Sequence, residues 1–326
     1  MSDNLSMNSN VLIVGAGAMA IEYFNILKSL DINVFVIGRS KDSAVKFEQA
    51  TSYKPFVGGI NEYIKLHNKP AFSKAIIATG TEALKDTVRM LVDWGIKNLL
   101  VEKPGALSFE QLYELNEYCH NKDCAIYIAY NRRFYESVDK ANEIIKLDGG
   151  VSSFNFEFTE WSHKIEPLTK AEGVKENWFF ANSTHVVDLA FYLGGGLPVR
   201  MSPFVSGQLN WHSVAIFAGA GLTSNNALFT YQANWKAPGR WGIEILTLKH
   251  KLYLRPLEEL KIQKLGSIEI EDVPIDNCHL EQKFKPGLFK QTSEFINDHV
   301  SNLVTLKQHT QNSKIYEKIL KGETLK

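Results

Sequence analysis

The chain has 326 residues, 36 Lys plus Arg against 36 Asp plus Glu, and 44% hydrophobic residues. At ~100–200 residues per domain, that predicts two domains whose cores fold without disulfide or metal staples. The even charge argues against nucleic acid, which calls for a basic excess, and against an anionic membrane surface as partners.

Cys119, Cys124 and Cys278 are an odd count with no metal-like spacing. They read as free thiols of a reducing, cytoplasmic compartment, and no metal is expected. The opening MSDNLSMNSN has no basic segment, so no signal peptide is expected. The apolar run from Val11 to Ile21 is broken by two glycines and falls short of the roughly 20 residues a membrane helix needs.

The first ~130 residues alternate short apolar runs with amphipathic stretches, the rhythm of βαβ units on a parallel sheet. Strands are predicted at Val11–Val14, Val34–Ile37, Ala75–Ala78, Leu99–Val101 and Ala125–Ala129. Helices are predicted at Met19–Leu30, Thr81–Trp94 and Ser108–His120. The rhythm changes after about Leu147. From Ser153, SFNFEFTE alternates with Phe154, Phe156 and Phe158 on one face, a half-buried strand. NALFTYQA, GIEILTL, KLYLRP and SIEIEDV read as further strands separated by turns, hence a mostly antiparallel sheet. Helices at Leu288–Leu303 and Thr310–Leu320 close the chain. The fold class is α/β: a Rossmann, doubly wound parallel sheet over 1–130, then an α+β domain on a large sheet over 131–326. The closing helices are free to pack back on the first domain.

The first strand leads into Gly15-Ala16-Gly17-Ala18-Met19-Ala20, a G-x-G-x-x-A pattern between strand and helix. Gly15 permits the tight turn, Gly17 lets the backbone approach a pyrophosphate, and Ala20 lets the helix pack close. The helix N-terminus offers free N–H groups to phosphates. The second strand ends Ile37-Gly38-Arg39-Ser40, with no carboxylate to hold a ribose 2′-hydroxyl. Arg39 can grip a 2′-phosphate and Ser40 can donate to it, which favours NADP(H) over NAD(H). Glu102-Lys103-Pro104 follows the strand ending at Val101, at the carboxyl ends where ligands bind in such sheets. Lys103 can serve there as acid/base or orient a hydroxyl.

The G-x-G-x-x-A start, Glu102-Lys103-Pro104, and Tyr130-Asn131-Arg132-Arg133-Phe134 together resemble the glucose–fructose oxidoreductase, inositol dehydrogenase and rhizopine-catabolism (Gfo/Idh/MocA) family. The resemblance implies hydride transfer between NAD(P) and a ring carbinol or ketone of a sugar, cyclitol or sugar nucleotide. It implies cofactor contacts at Gly15, Gly17, Ala18, Met19, Gly38, Arg39, Ser40, Thr79, Gly80, Glu102 and Lys103. It gives Lys103 the contact with substrate and nicotinamide. Trp178–Leu189 is similar to the family's Asp-x-Gly-x-His-x-x-Asp segment, with His185 and Asp188 matching. His185, ordinary pKa ~6.5, can exchange a proton with the reacting hydroxyl. Asp188 can fix its tautomer. Asn182, His185 and Asp188 are spaced to share a helix face. Ala181 and Ser183 depart from the family's Asp and Gly, so Lys103 and His185 are the acid/base candidates, and Asn182 a substrate ligand. Thr79-Gly80 stands where the family often has Thr-Pro.

Tyr130, Arg132, Trp235 and Arg240 are further substrate contacts to test; either of Arg132 and Arg133 could meet an anion or a neighbouring carboxylate. Glu157, Glu160 and His163 end the Phe-alternating strand, near the expected cleft. The segment Asn182–Gly195 is more similar to members found with bacterial surface-polysaccharide synthesis than to catabolic inositol dehydrogenases. A non-catalytic dinucleotide sensor and an NAD-dependent glycoside-cleaving enzyme remain alternatives on this fold. The second sheet, bare on one face, predicts a homodimer or homotetramer.

Overall fold

The computed structural model describes residues 10–275 and 279–326. Most of the opening MSDNLSMNSN and Cys278 lie outside the described residues. Two compact units are present: residues 1–129 with 288–307, and residues 130–287 with 308–326.

The first unit runs β1 (Val11–Val14), α1 (Ala18–Ser29), β2 (Val34–Gly38), α2 (Lys41–Thr51), β3 (Phe56–Val57), α3 (Gly59–Leu66), β4 (Lys74–Ile77), α4 (Leu84–Trp94), β5 (Asn98–Val101), α5 (Phe109–Cys119) and β6 (Ala125–Ile128). Strands β3-β2-β1-β4-β5-β6 pair in parallel in that order, the doubly wound arrangement. Every residue of β1 and β4 is buried, as expected for strands covered on both faces. Ala20, fully buried, lets α1 close on the sheet. The predicted helix at Thr81 begins as a single 3₁₀ turn, Thr81–Ala83, before α4.

In the second unit come α6 (Glu136–Leu147), β7 (Ser153–Glu157), α7 (Ser162–Ile165) and α8 (Thr184–Leu193), the last entered through a π-helical turn, Phe179–Ser183. Then follow β8 (Pro198–Ser206), β9 (Ile216–Thr223), β10 (Leu228–Asn234), β11 (Gly242–Leu246), β12 (His250–Leu254), β13 (Lys261–Lys264), β14 (Glu271–Asp272) and α9 (His279–Lys283). The strand order is β14-β13-β12-β11-β7-β10-β9-β8, antiparallel except for the parallel pair β7/β10. Phe154, Phe156 and Phe158 are buried together with Phe191, Phe229 and Tyr231, the ring stack the alternation foretold.

Two expectations fail here. SIEIEDV keeps only Glu271–Asp272 as strand, and Ile268 is 93% exposed; the pairing partner of β12 is β13 instead. Alternation without a neighbour to accept the ladder does not make a strand. The strands β8 and β9, rich in Gly, Ala, Ser and Pro, were not foreseen.

The chain then returns to the first unit with α10 (Leu288–Ile296) and β15 (Val304–Thr305), and ends in α11 (Leu306–Lys321). The expected Leu288–Leu303 helix therefore stops early. β15 adds an antiparallel edge beside β6. The Lys74 ammonium, nearly buried, donates to the Phe295 and Ile296 carbonyls at 2.9 and 2.7 Å and pairs with Asp298 at 2.7 Å. It thereby caps the carboxyl end of α10, where a cation suits the helix dipole.

Candidate active site

In the first unit, a cavity of about 610 Å³ opens at the carboxyl ends of β1, β2 and β4. Of the expected cofactor residues, Gly15, Gly17, Arg39, Ser40, Thr79 and Gly80 line it. Gly15 has φ +128°, and a Cβ there would lie 2.3 Å from the Ala78 carbonyl oxygen. A Cβ on Gly17 would meet nothing within 4 Å, so the space above the loop is open at the N-terminus of α1. Ser40 caps α2 by accepting from the Ser43 N–H, and the two hydroxyls lie 2.8 Å apart beside the exposed Arg39. An open cradle over a free helix N-terminus, with a guanidinium and two hydroxyls at its rim, fits a dinucleotide.

Ala18, Met19, Gly38, Glu102 and Lys103 do not line this cavity. Gly38 serves packing, since a Cβ would meet Ala16 Cβ at 2.9 Å. Glu102 accepts from the Tyr23 hydroxyl of α1 at 2.7 Å, tying the Lys103 loop to the helix that starts at the glycine turn. Burial and this carboxylate push the Tyr23 phenol well above its ordinary pKa, so it stays a donor. Lys103 is half-buried at a turn after β5, and its peptide bond to Pro104 is cis. The sequence reading missed the Gly58-Gly59 turn, Asn61, Glu82 and Asp86 in the cavity wall. Only the glycine pair carried a signal.

In the second unit, His185 sits in the first turn of α8, 5% exposed. The Tyr130 ring meets it edge-on at 5.7 Å, and the Trp241 ring stands 6.3 Å away. Tyr130 is corrected from substrate contact to support: it is 1% exposed, its hydroxyl donates to Thr184 at 3.1 Å, and burial holds its phenol well above the usual range. Asp188 is corrected likewise. Its oxygens accept from Arg133 Nε and Nη2, both at 2.7 Å, and from the Tyr316 hydroxyl at 3.0 Å, so it anchors α8 rather than setting the His185 tautomer. Burial disfavours the Arg133 charge, but Asp188 outweighs it and raises the guanidinium pKa.

The π turn also changes the register before His185, so Asn182 does not continue the α8 face. Its amide donates to Glu160 Oε1 at 2.9 Å, and Ser183 donates to the same oxygen at 2.8 Å. Burial lifts the Glu160 carboxyl above its ordinary pKa, opposed by Ser183, Asn182 and Arg240. Glu160 thus brings a carboxylate beside the segment that has Ala181 in place of the family's Asp. Trp235 is 1% exposed, donates to the Phe158 carbonyl at 3.2 Å and packs on His212 and Phe217. It is core, reaching only the wall of a 670 Å³ cavity shared with Trp161, His163 and Glu166. Glu157 is held by Arg255 at 2.8 Å. Arg132 and Arg240 both place their guanidinium carbons 4.6 Å from the Trp241 ring.

The first unit is thus a Rossmann domain with an open cradle, and the second holds a histidine near an indole flanked by two guanidinium groups. Residues 9–130 match the family model for the oxidoreductase family, NAD-binding Rossmann fold (GFO_IDH_MocA). The match falls on the parallel-sheet domain of the first unit. No curated protein sequence matches it. Among solved structures, a candidate NADPH-dependent oxidoreductase from Desulfitobacterium hafniense aligns with TM-score 0.76 at 16% identity, over 99% of this chain and 96% of its own. Levoglucosan dehydrogenase in complex with NADH and levoglucosan aligns at 0.75 and 16%, over 97% of each chain. UDP-N-acetylglucosamine 3-dehydrogenase from Acidithiobacillus ferrooxidans aligns at 0.73 and 12%, over 97% and 98%. At these identities the likeness is one of fold. Among the described residues, no helix is long and apolar enough to cross a membrane.

Proposed function

We propose that the chain is an NAD(P)-dependent oxidoreductase acting on a ring carbinol or ketone of a sugar, cyclitol or sugar nucleotide, in the setting of surface-polysaccharide sugar synthesis. The observation that carries this reading is the open cradle above Gly17 in a domain that matches the Gfo/Idh/MocA family model, on a chain that retains Lys103 and His185. Solved structures of the same fold include dehydrogenases of a sugar and of a sugar nucleotide. A bound nicotinamide dinucleotide supplies the hydride acceptor or donor. Lys103 orients the reacting hydroxyl, and His185, held by Tyr130 and α8, takes its proton in oxidation and returns it in reduction. Arg39, Ser40 and Ser43 support a preference for NADP(H) through the 2′-phosphate.

The homo-oligomer reading concerns the second sheet. Phe204 and Leu228 are 69% and 63% exposed on it. A second copy covering that face would relieve the exposure, and light scattering that finds only monomer would overturn this part.

Lys103→Ala tests the mechanism. Turnover is expected to fall roughly 10²–10⁴-fold while the dinucleotide Kd, read by fluorescence titration, holds. Unchanged turnover on a confirmed substrate would remove Lys103 from the chemistry.

A further inference from the structure

Arg132 and Arg133 are neighbours in sequence with opposite surroundings. Arg133 is bidentate to Asp188. The Arg132 side chain makes neither a hydrogen bond nor an ion pair with any described residue, and its Nε is sealed from solvent. Its guanidinium lies over the Trp241 indole. A second guanidinium, Arg240, stands at the same 4.6 Å from that indole and also stacks on Trp161. Arg240 reaches Glu160 only at 3.8 Å. Two like charges therefore share one ring, and each repels the other. Burial, opposed by Tyr135 and Glu258, draws the Arg132 guanidinium below its ordinary pKa, with Arg240 adding to the fall. A half-buried cation whose nearby carboxylates, Glu258 and Glu160, make no ion pair with it is costly to desolvate, and the cost is relieved when an anion arrives. The planar guanidinium fork suits an oxyanion, which it can hold bidentately.

We infer that Arg132 and Arg240, arrayed on Trp241, form an oxyanion-recognition site for the substrate itself. The substrate class is then a sugar that carries a carboxylate or phosphate group. The proximity of the same indole to His185, 6.3 Å between rings, assigns the anion to the molecule whose hydroxyl reacts rather than to a remote effector. This inference rests on the oxidoreductase reading above for the word substrate, but the site itself does not.

The test pairs neutral and anionic probes: glucose against glucuronate for the carboxylate arm, and against glucose 1-phosphate and UDP-glucose for the phosphate arm. Binding is followed by calorimetry, and turnover by dinucleotide absorbance. One anionic arm is expected to exceed glucose in affinity by ~10–100-fold, the worth of one or two charge-assisted hydrogen bonds. Arg132→Gln should erase that margin while the dinucleotide Kd holds. Arg240→Gln, on a more exposed side chain, should reduce it and covers the case in which the first variant fails to fold. Equal affinity for glucose and all three anions, or a margin unmoved in Arg240→Gln and in folded Arg132→Gln, would overturn the site. Anion binding that needs Arg132 without any dinucleotide reduction would keep the site and sink the oxidoreductase reading instead.

Discussion

The cavity of the first unit depends on places where side chains are missing: Gly15, Gly17, Gly58, Gly59 and Gly80 line it. The cluster around His185 in the second unit is made of side chains that hold one another: Tyr130 on Thr184, Asn182 and Ser183 on Glu160, Arg133 and Tyr316 on Asp188. A backbone cradle can be read from a short local pattern because its parts are contiguous. A side-chain network draws its parts from positions up to 128 residues apart, and nothing in the local sequence pairs them. The first design fails through added atoms and the second through removed ones.

The largest expected effect lies in the second design. Asp188→Ala leaves the buried Arg133 charge uncompensated and should cost about 3–5 kcal/mol of stability, read by chemical denaturation. A small loss would mean that the network is less tightly coupled than its geometry indicates. Next come two glycines of the cradle. Gly15→Ala forces a Cβ against the Ala78 carbonyl at positive φ and should destabilise by roughly 1–3 kcal/mol. Gly17→Ala meets no protein atom, so its melting temperature should change little while its dinucleotide Kd rises. Equal melting losses in the two would erase the distinction between turn and cradle. Arg39→Asp should shift the ratio of NADPH to NADH affinity about tenfold or more toward NADH; an unmoved ratio would place the selector elsewhere.

The smallest effect concerns Glu160. Its carboxyl holds its proton more tightly folded than unfolded, because burial raises the folded pKa. Stability is therefore lost as pH rises from the ordinary carboxylate value near ~4.3 through the higher folded value, and regained on acidification. Glu160→Gln should flatten that slope in melting temperature against pH. A slope that persists would assign it to another group.

The same contrast explains what the sequence shows. Parallel strands buried on both faces appear as unbroken apolar runs, so β1, β2, β4, β5 and β6 are legible within a residue or two. Strands β8 and β9 hide behind small residues that suit a sheet only once neighbours exist. The segment SIEIEDV shows the converse, alternation of which only Glu271–Asp272 finds a partner, in β13. At the site, Gly15, Gly17, Arg39 and Ser40 were readable from spacing alone. Asp188 was misassigned because its partner, Arg133, lies 55 residues away. The π turn hid the bond between Asn182 and Glu160, since periodicity arguments assume an unbroken α-helix.

The clasp of Lys74 on the end of α10 has a consequence for how the molecule is made. The nucleotide-binding unit has all six parallel strands once residue 128 has emerged, yet its ammonium has no carbonyls to hold until residues 295–298 follow. At ~5–20 residues per second, the ribosome needs on the order of ten seconds or more to deliver them. During that interval the nascent half-molecule carries an open seam, and an excised fragment ending near residue 130 would carry it permanently.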